Sequence, residues 1–189
     1  ITAGDDKTWE VVNANGTLVG HNGVNGDTLL KWAASGNISA LGVSGRFTWA
    51  KHVEYWDRRV WWANLSSGTN RLWYSDQDAP ETYGALSFMS FDYEITGILG
   101  LGQKSLALFG IRKSAGGLIV HTRNTITFVA DTGDATTPYR KTDILLAEEN
   151  MGGTESGRYL VNVPGVGQLF VRRDGVYVLT SAQEIVKVS

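Results

Sequence analysis

The sequence predicts an all-β protein, a β-propeller-like stack of short antiparallel strands in which about three blades are visible, as part of a larger ring. Three observations predict it. Glycine is abundant, 23 residues against three prolines, and it recurs in the pairs Asn15-Gly16, Asn22-Gly23, Asn25-Gly26 and Asp174-Gly175. Such pairs supply the positive φ that two-residue hairpin turns demand. Hairpin strands also recur at intervals of roughly fifty residues: Asn70–Ser75, Asn124–Val129 and Gly175–Thr180 each follow an apolar strand, and such a period with short strands marks propeller blades. The densest stretch, Tyr55 to Tyr83, reads as two aromatic-rich strands joined at Ser66-Ser67-Gly68 and followed by a polar loop that reaches Pro80. Blades cannot bury both sheet faces alone, so neighbours must stack.

Along the chain, Thr8 to Gly20 predicts a hairpin, with Trp9 and Val11 on one face, Val12 on the other, and Asn15-Gly16 as the turn before Thr17-Leu18-Val19. Gly20 to Asp27 is Gly/Asn-rich and reads as a loop. Thr28 to Ala34 fits either one helical turn or a strand. This N-terminal region, residues 1–44, reads as a hairpin with an irregular segment or partial blade, and 45–189 as the propeller-like domain. Arg46 to Trp56 alternates loosely and meets a turn at Asp57-Arg58; Val60-Trp61-Trp62 opens the next strand and Arg71 to Ser75 closes the hairpin.

In the second repeat, Glu94 to Gly102 leads into Lys104 to Gly110, apolar on both faces as a buried central strand should be. Leu118 to Thr122 and Asn124 to Val129 follow, ended by the Asp131 to Asp134 cluster. The third carries Asp143 to Ala147, a loop from Glu148 to Gly157, a strand from Tyr159 to Val163, and a hairpin in which Gln168–Arg173 and Val176–Thr180 flank Asp174-Gly175. Glu184 to Val188 is the outermost strand or the start of a further unit. Closed rings usually take four or more blades, and the chain starts at Ile1 without Met or a leader, so a piece of a longer or processed protein is expected.

Composition narrows the function classes. With a net charge of -2 and 17 scattered basic residues, no nucleic-acid contact is required by the sequence. The absence of cysteine removes disulfides, thiolate metal sites and cysteine nucleophiles. No apolar run is long enough to span a membrane, and no cofactor is implied.

Candidate chemical motifs have simpler accounts. Gly97 to Ser105 resembles a phosphate loop, but Gln103 stands where glycine is required and a strand-like run follows where a helix is needed. Gly153-Thr154-Glu155-Ser156-Gly157 displaces its serine from the nucleophile-elbow pattern. His21, His52 and His121 lack ligand spacing. Asp76 with Asp78, and Asp131 with Asp134, invite calcium, yet Asx-turns explain them more simply. Glu148, Glu149 and Glu155 invite a glycosidase, but adjacent carboxylates point apart.

The cluster Trp49, Tyr55, Trp56, Trp61, Trp62, Trp73 and Tyr74 either stacks on sugars, anchors a subunit interface, or packs between blades. Packing is the simplest account. Trp61 and Trp62 point to opposite faces of one strand, so one of them is the expected outward-facing anchor.

Tyr55 to Trp62, then Asn70-Arg71-Leu72-Trp73-Tyr74-Ser75-Asp76 with Asp78-Ala79-Pro80-Glu81-Thr82-Tyr83, then Ile95 to Ile98, Asn124 to Val129 and Arg172 to Leu179 together resemble the propeller-like virion structural proteins of tailed bacteriophages. The similarity covers about Arg46 to Leu179. It departs at Ala79, which separates Asp78 from Pro80 where those proteins more often have the two adjacent, and residues 1 to about 40 match no motif of that group. The resemblance implies a non-enzymatic structural role in the virion, in a tail nozzle, hub or adaptor, as a rigid platform in a homo-oligomeric ring with other phage tail proteins as partners. The loops Gln77–Tyr83 and Glu148–Gly157 are the expected subunit contacts, and Trp61, Trp62, Asp76, Asp78, Glu81 and Tyr83 the candidate interface residues. A carbohydrate-binding module for host attachment and a glycoside hydrolase are the alternatives.

Overall fold

The computed structural model describes residues 9–24, 27–101, 117–144, 160–163, 166–172, 174–180 and 184–189. Among these there is no helix, and the strands form four separate four-stranded antiparallel sheets. Each is a meander of strands consecutive in sequence, as in propeller blades. The chain divides into two compact units, 1–95 and 96–189.

The first sheet comprises β1 (Glu10–Ala14), β2 (Thr17–His21), β3 (Leu30–Ala33) and β4 (Ser39–Ala40). Its first turn is the one expected: Ala14 pairs with Thr17, and Asn15 and Gly16 have φ of 51° and 88°. The ambiguous segment around Leu30 is a strand, because β2 offers it a ladder from Thr17–Ala33 to Gly20–Leu30. Residues 10–40 therefore form a complete sheet. The tertiary partner decided what local propensity left open.

The second sheet, β5 (Ala50–Trp56), β6 (Arg59–Leu65), β7 (Gly68–Tyr74) and β8 (Phe88–Ser90), holds the aromatic hairpin. Asp57 and Arg58 turn β5 into β6 at φ of 53° and 59°, and Ser66-Ser67 turn β6 into β7. A bulge at Asn64, φ 55°, breaks the β6–β7 register. One face of each sheet meets the other in a shared core of Ala14, Val19, Leu29, Phe47, Val53, Trp62 and Trp73. Phe47, from the connection between the sheets, touches Trp62, Trp73 and Tyr83, with ring centroids 6.0, 6.4 and 5.8 Å away.

The second unit repeats the plan. Its third sheet comprises β9 (Ile95–Leu101), β10 (Gly117–Thr122), β11 (Ile126–Asp131) and β12 (Tyr139–Ile144); its fourth comprises β13 (Leu160–Val163), β14 (Gly167–Arg172), β15 (Gly175–Leu179) and β16 (Ile185–Lys187). Ile119, Ile126, Phe128 and Ile144 of the third sheet pack on Phe170, Tyr177 and Leu179 of the fourth. The final segment is the outer strand of this sheet, paired from Tyr177–Lys187 to Leu179–Ile185.

One turn closes differently from its sequence signature. Arg172 pairs with Gly175, so Gly175 begins the return strand instead of sitting at the second turn position. Its missing side chain serves a close approach: a Cβ there would lie 2.1 Å from the Ser189 carbonyl oxygen, in the place where Val176 N donates to that oxygen. The expected strand Lys104–Gly110 and the motifs within Gln103–Ser105, Glu148–Glu149 and Gly153–Gly157 lie outside the described residues.

Candidate functional site

Of the residues singled out as an interface, Asp76, Asp78, Glu81 and Tyr83 lie in the connection between β7 and β8 of the first unit, and Trp61 and Trp62 lie on β6. Asp76 and Ala79 form an isolated bridge, Asp76 N donates to Thr82 O at 2.8 Å, and Asp78 N donates to Arg58 O at 2.7 Å. Asp78 also pairs through its carboxylate with the Arg58 guanidinium. This ties the loop to the β5–β6 turn. Asp76 and Asp78 are exposed.

Glu81 reaches across to the first sheet. One carboxylate oxygen accepts from Lys31 Nζ at 2.5 Å and the other from Gly42 N at 3.0 Å. The lysine hydrogen bond, with the Gly42 amide adding to it, holds the carboxyl below its usual range. Ser44 Oγ donates to Glu81 O at 3.4 Å, and Arg46 Nε to Tyr83 O at 3.4 Å.

Trp61 and Trp62 are both fully buried, which corrects the expectation that one faces outward. Trp62 donates from Nε1 to the Tyr83 hydroxyl at 2.8 Å, and Tyr83 donates onward to Pro80 O at 2.8 Å. Tyr83 is itself buried, so it also offers no anchoring surface. Burial pushes its hydroxyl pKa up. Trp61 lies on the opposite face, against Trp56 at 5.4 Å and Tyr74 at 5.0 Å, and donates to Trp56 O at 2.9 Å. The pleat did send the two tryptophans to opposite faces, but both faces are covered. Alternation reports which way a side chain points and is silent on what lies there.

The histidines serve structure. His21 Nδ1 accepts from Gly23 N at 2.6 Å while its Nε2 lies 3.0 Å from Asp27 O. His52 Nδ1 is 3.1 Å from Glu10 Oε1, and Glu10 Oε2 accepts from Val53 N at 3.1 Å, a link from the first strand of one sheet to the first strand of the next. His121 is buried between the third and fourth sheets, with Nε2 2.8 Å from Gln168 Oε1 and its ring against Phe170 at 5.2 Å. Burial lowers its pKa to about 4, against the opposing hydrogen bond to Gln168. Facing a carbonyl oxygen, the neutral ring carries its proton on Nε2.

Asp131 and Asp134 cap their own loop: Gly133 N donates to Asp131 Oδ1 at 2.8 Å and Thr136 N to Asp134 Oδ1 at 2.7 Å. Those are Asx-turns. Among the described residues no three His, Asp or Glu side chains converge as a metal site would require.

Two aromatics stand exposed among the described residues, Trp32 and Tyr93, and sequence reasoning selected neither. Trp32 lies on the face of the first sheet turned away from the second, beside a groove of about 440 Å³ lined by Trp9, Val11, Leu18, Leu30 and Ile38. The signal was present in the alternation of Leu30 with Trp32 around Lys31, masked by the unresolved choice between helix and strand. Apart from Lys31, whose ammonium pairs with Glu81, the lining is aromatic and aliphatic and gives sugar hydroxyls few hydrogen-bond partners. No protein-family model matches the chain, and no curated protein matches it.

Proposed function

We propose that this chain is a non-enzymatic structural protein of a bacteriophage tail, of nozzle, hub or adaptor type, whose propeller-like sheets form a stiff platform for assembly with other virion proteins. The observation that carries the reading is the use made of the aromatic motif. Trp62 holds Tyr83 of the β7–β8 loop, and Glu81 of the same loop holds Lys31 of the first sheet and the Gly42 amide beyond it. A motif spent on rigidity suits a load-bearing body, and the motif order from Tyr55 to Leu179 is what resembles tail proteins. Function on this reading is mechanical: Trp62 and Tyr83 hold the Asp76–Tyr83 loop at a fixed height, Arg58 ties Asp78 down, and the exposed Asp76 is left to meet neighbours.

Mass spectrometry of purified particles from a phage encoding the chain tests the proposal. The protein should be found at a fixed stoichiometry with known tail components. Its absence from complete particles would overturn the reading.

A further inference from the structure

We propose that Asn22-Gly23 is a self-modification site, where the Gly23 amide nitrogen attacks the Asn22 carboxamide, expels ammonia and closes a succinimide ring, with His21 as the base. The inference is independent of the tail role proposed above.

The chain carries three Asn-Gly pairs, Asn15-Gly16, Asn22-Gly23 and Asn25-Gly26, the last outside the described residues. Glycine after asparagine leaves the approach to the carboxamide carbon unhindered. The two described pairs differ in what surrounds them. Asn15 and Gly16 are exposed in the β1–β2 turn, where Gly16 N donates to Asn13 Oδ1 at 2.8 Å. A carboxamide oxygen accepts that hydrogen bond but does not take the proton. The nucleophile of this pair therefore stays protonated.

At Asn22 the groups that cyclisation needs are in contact with the atoms on which they would act. The contacts through which His21 holds its loop also prepare the reaction. Gly23 N donates to His21 Nδ1 at 2.6 Å. A backbone N–H can only donate, so Nδ1 carries a lone pair and the ring proton sits on Nε2, which gives it to the Asp27 carbonyl oxygen at 3.0 Å. The base is thus held in the tautomer that aims its lone pair at the nucleophile. Asn22 Oδ1 accepts from Val24 N at 3.1 Å, a donor placed on the oxygen where negative charge develops. Asn22 Nδ2 donates to Asp27 Oδ2 at 2.7 Å, so the nitrogen that must leave lies against a carboxylate. His21, Asn22 and Asp27 are all buried, where such contacts act more strongly than in water.

The step balances within the chain. The bond from Gly23 N to Asn22 Cγ forms, the Gly23 proton passes to His21 Nδ1, and Val24 N meets the charge on Oδ1. Collapse of this intermediate breaks the Cγ–Nδ2 bond, and the proton held by His21 leaves with Nδ2 as ammonia. Asp27 offsets the positive charge that Nδ2 gains on the way out. With Nδ2 engaged by Asp27, the carboxamide nitrogen is the leaving group and not the attacking one, which would cut the chain after Asn22. Water then opens the ring to aspartate or isoaspartate. Burial delays that second step, so the succinimide should accumulate in the folded chain.

Incubation of the folded chain at neutral pH, followed by intact and tandem mass spectrometry, reads the reaction. A species lighter by one ammonia should form at Asn22-Gly23 at least about tenfold faster than any change at Asn15-Gly16, a modest share of the roughly hundredfold that one positioned base supplies. His21→Asn sets a carboxamide oxygen near the place of Nδ1, which keeps an acceptor for Gly23 N and removes the base. The rate at Asn22 should then fall at least about tenfold, with the melting temperature unchanged. A purely structural His21 predicts the opposite: its loss would leave the rate unchanged or, by loosening the loop, raise it, and either result overturns the proposal. An Asn22 that reacts no faster than Asn15 also overturns it. So does cleavage after Asn22, which would make Nδ2 the nucleophile. Should His21→Asn fail to fold, the ratio of the two sites in the wild-type chain decides.

Discussion

The two units are built on one plan and secured in different ways. In the first, the polar links between sheets lie at the margins: Glu10 to His52 and Val53 N, and Glu81 to Lys31 and Gly42 N, around a dry aromatic centre of Phe47, Trp62 and Trp73. In the second, the polar link stands in the middle of the packing, where His121 meets Gln168 with both side chains fully buried. Marginal links are completed by water and are worth little each. A central link is costly to disturb, because a buried group that loses its partner, or gains a charge, has no solvent to turn to. The first unit should therefore fail through its aromatics and the second through protonation.

All seven tryptophans lie in the first unit, so tryptophan fluorescence follows that unit while amide exchange of β10, β11 and β14 follows the other. The largest effect is expected from Trp62→Ala, which empties a fully buried site and should cost about 3–5 kcal/mol. The fluorescence transition should fall steeply while β10 and β11 keep their exchange protection. Equal loss in both units would erase the distinction.

Acid should act the other way. The folded pKa of His121, about 4, lies below its unfolded value of 6.5, so the unfolded chain takes up the proton first. Stability from this group is complete above about pH 6.5 and lost as the pH falls towards 4, by roughly 3 kcal/mol in all. Exchange protection of β10 and β14 should drop across that window, and His121→Asn should flatten the drop. A slope unchanged in the variant would place the titrating group elsewhere.

A smaller change, Tyr83→Phe, removes the acceptor of Trp62 Nε1 and leaves a buried donor without a partner, at a cost of about 1–3 kcal/mol in thermal or chemical unfolding followed by fluorescence. Smallest is Glu81→Gln. It breaks the ion pair to Lys31 but keeps an acceptor for Gly42 N, so the expected loss is under about 1 kcal/mol and shrinks further with added salt. A larger, salt-independent loss would show that the margin of the first unit carries more than its exposure suggests.

Much of the fold was legible. The Asn15-Gly16 turn, the Ser66-Ser67 turn and the alternation in Asn124–Val129 and Val176–Thr180 announce strands and hairpins, because turn chemistry and the two-residue period are local properties of the chain. The candidate site was legible in its membership and not in its use. Trp62 and Tyr83 stand 21 positions apart, and nothing in their spacing says that one hydrogen-bonds to the other. Glu81 finds Lys31 across 50 positions. Phe47, on an irregular connection with no alternation to mark it, occupies the centre of the aromatic core.

By itself, then, the sequence determined the strand class, the repeat of about fifty residues and the parity of each side chain. These follow from backbone sterics and the pleat, which act between neighbours in the chain. Only the tertiary structure decided which faces are covered. Trp61 and Trp62 point opposite ways and are both buried, whereas Trp32 and Val161 follow the same alternation and stand open. Burial depends on what another sheet, tens of residues away, brings to that face, and the local pattern of a strand holds no record of its partner.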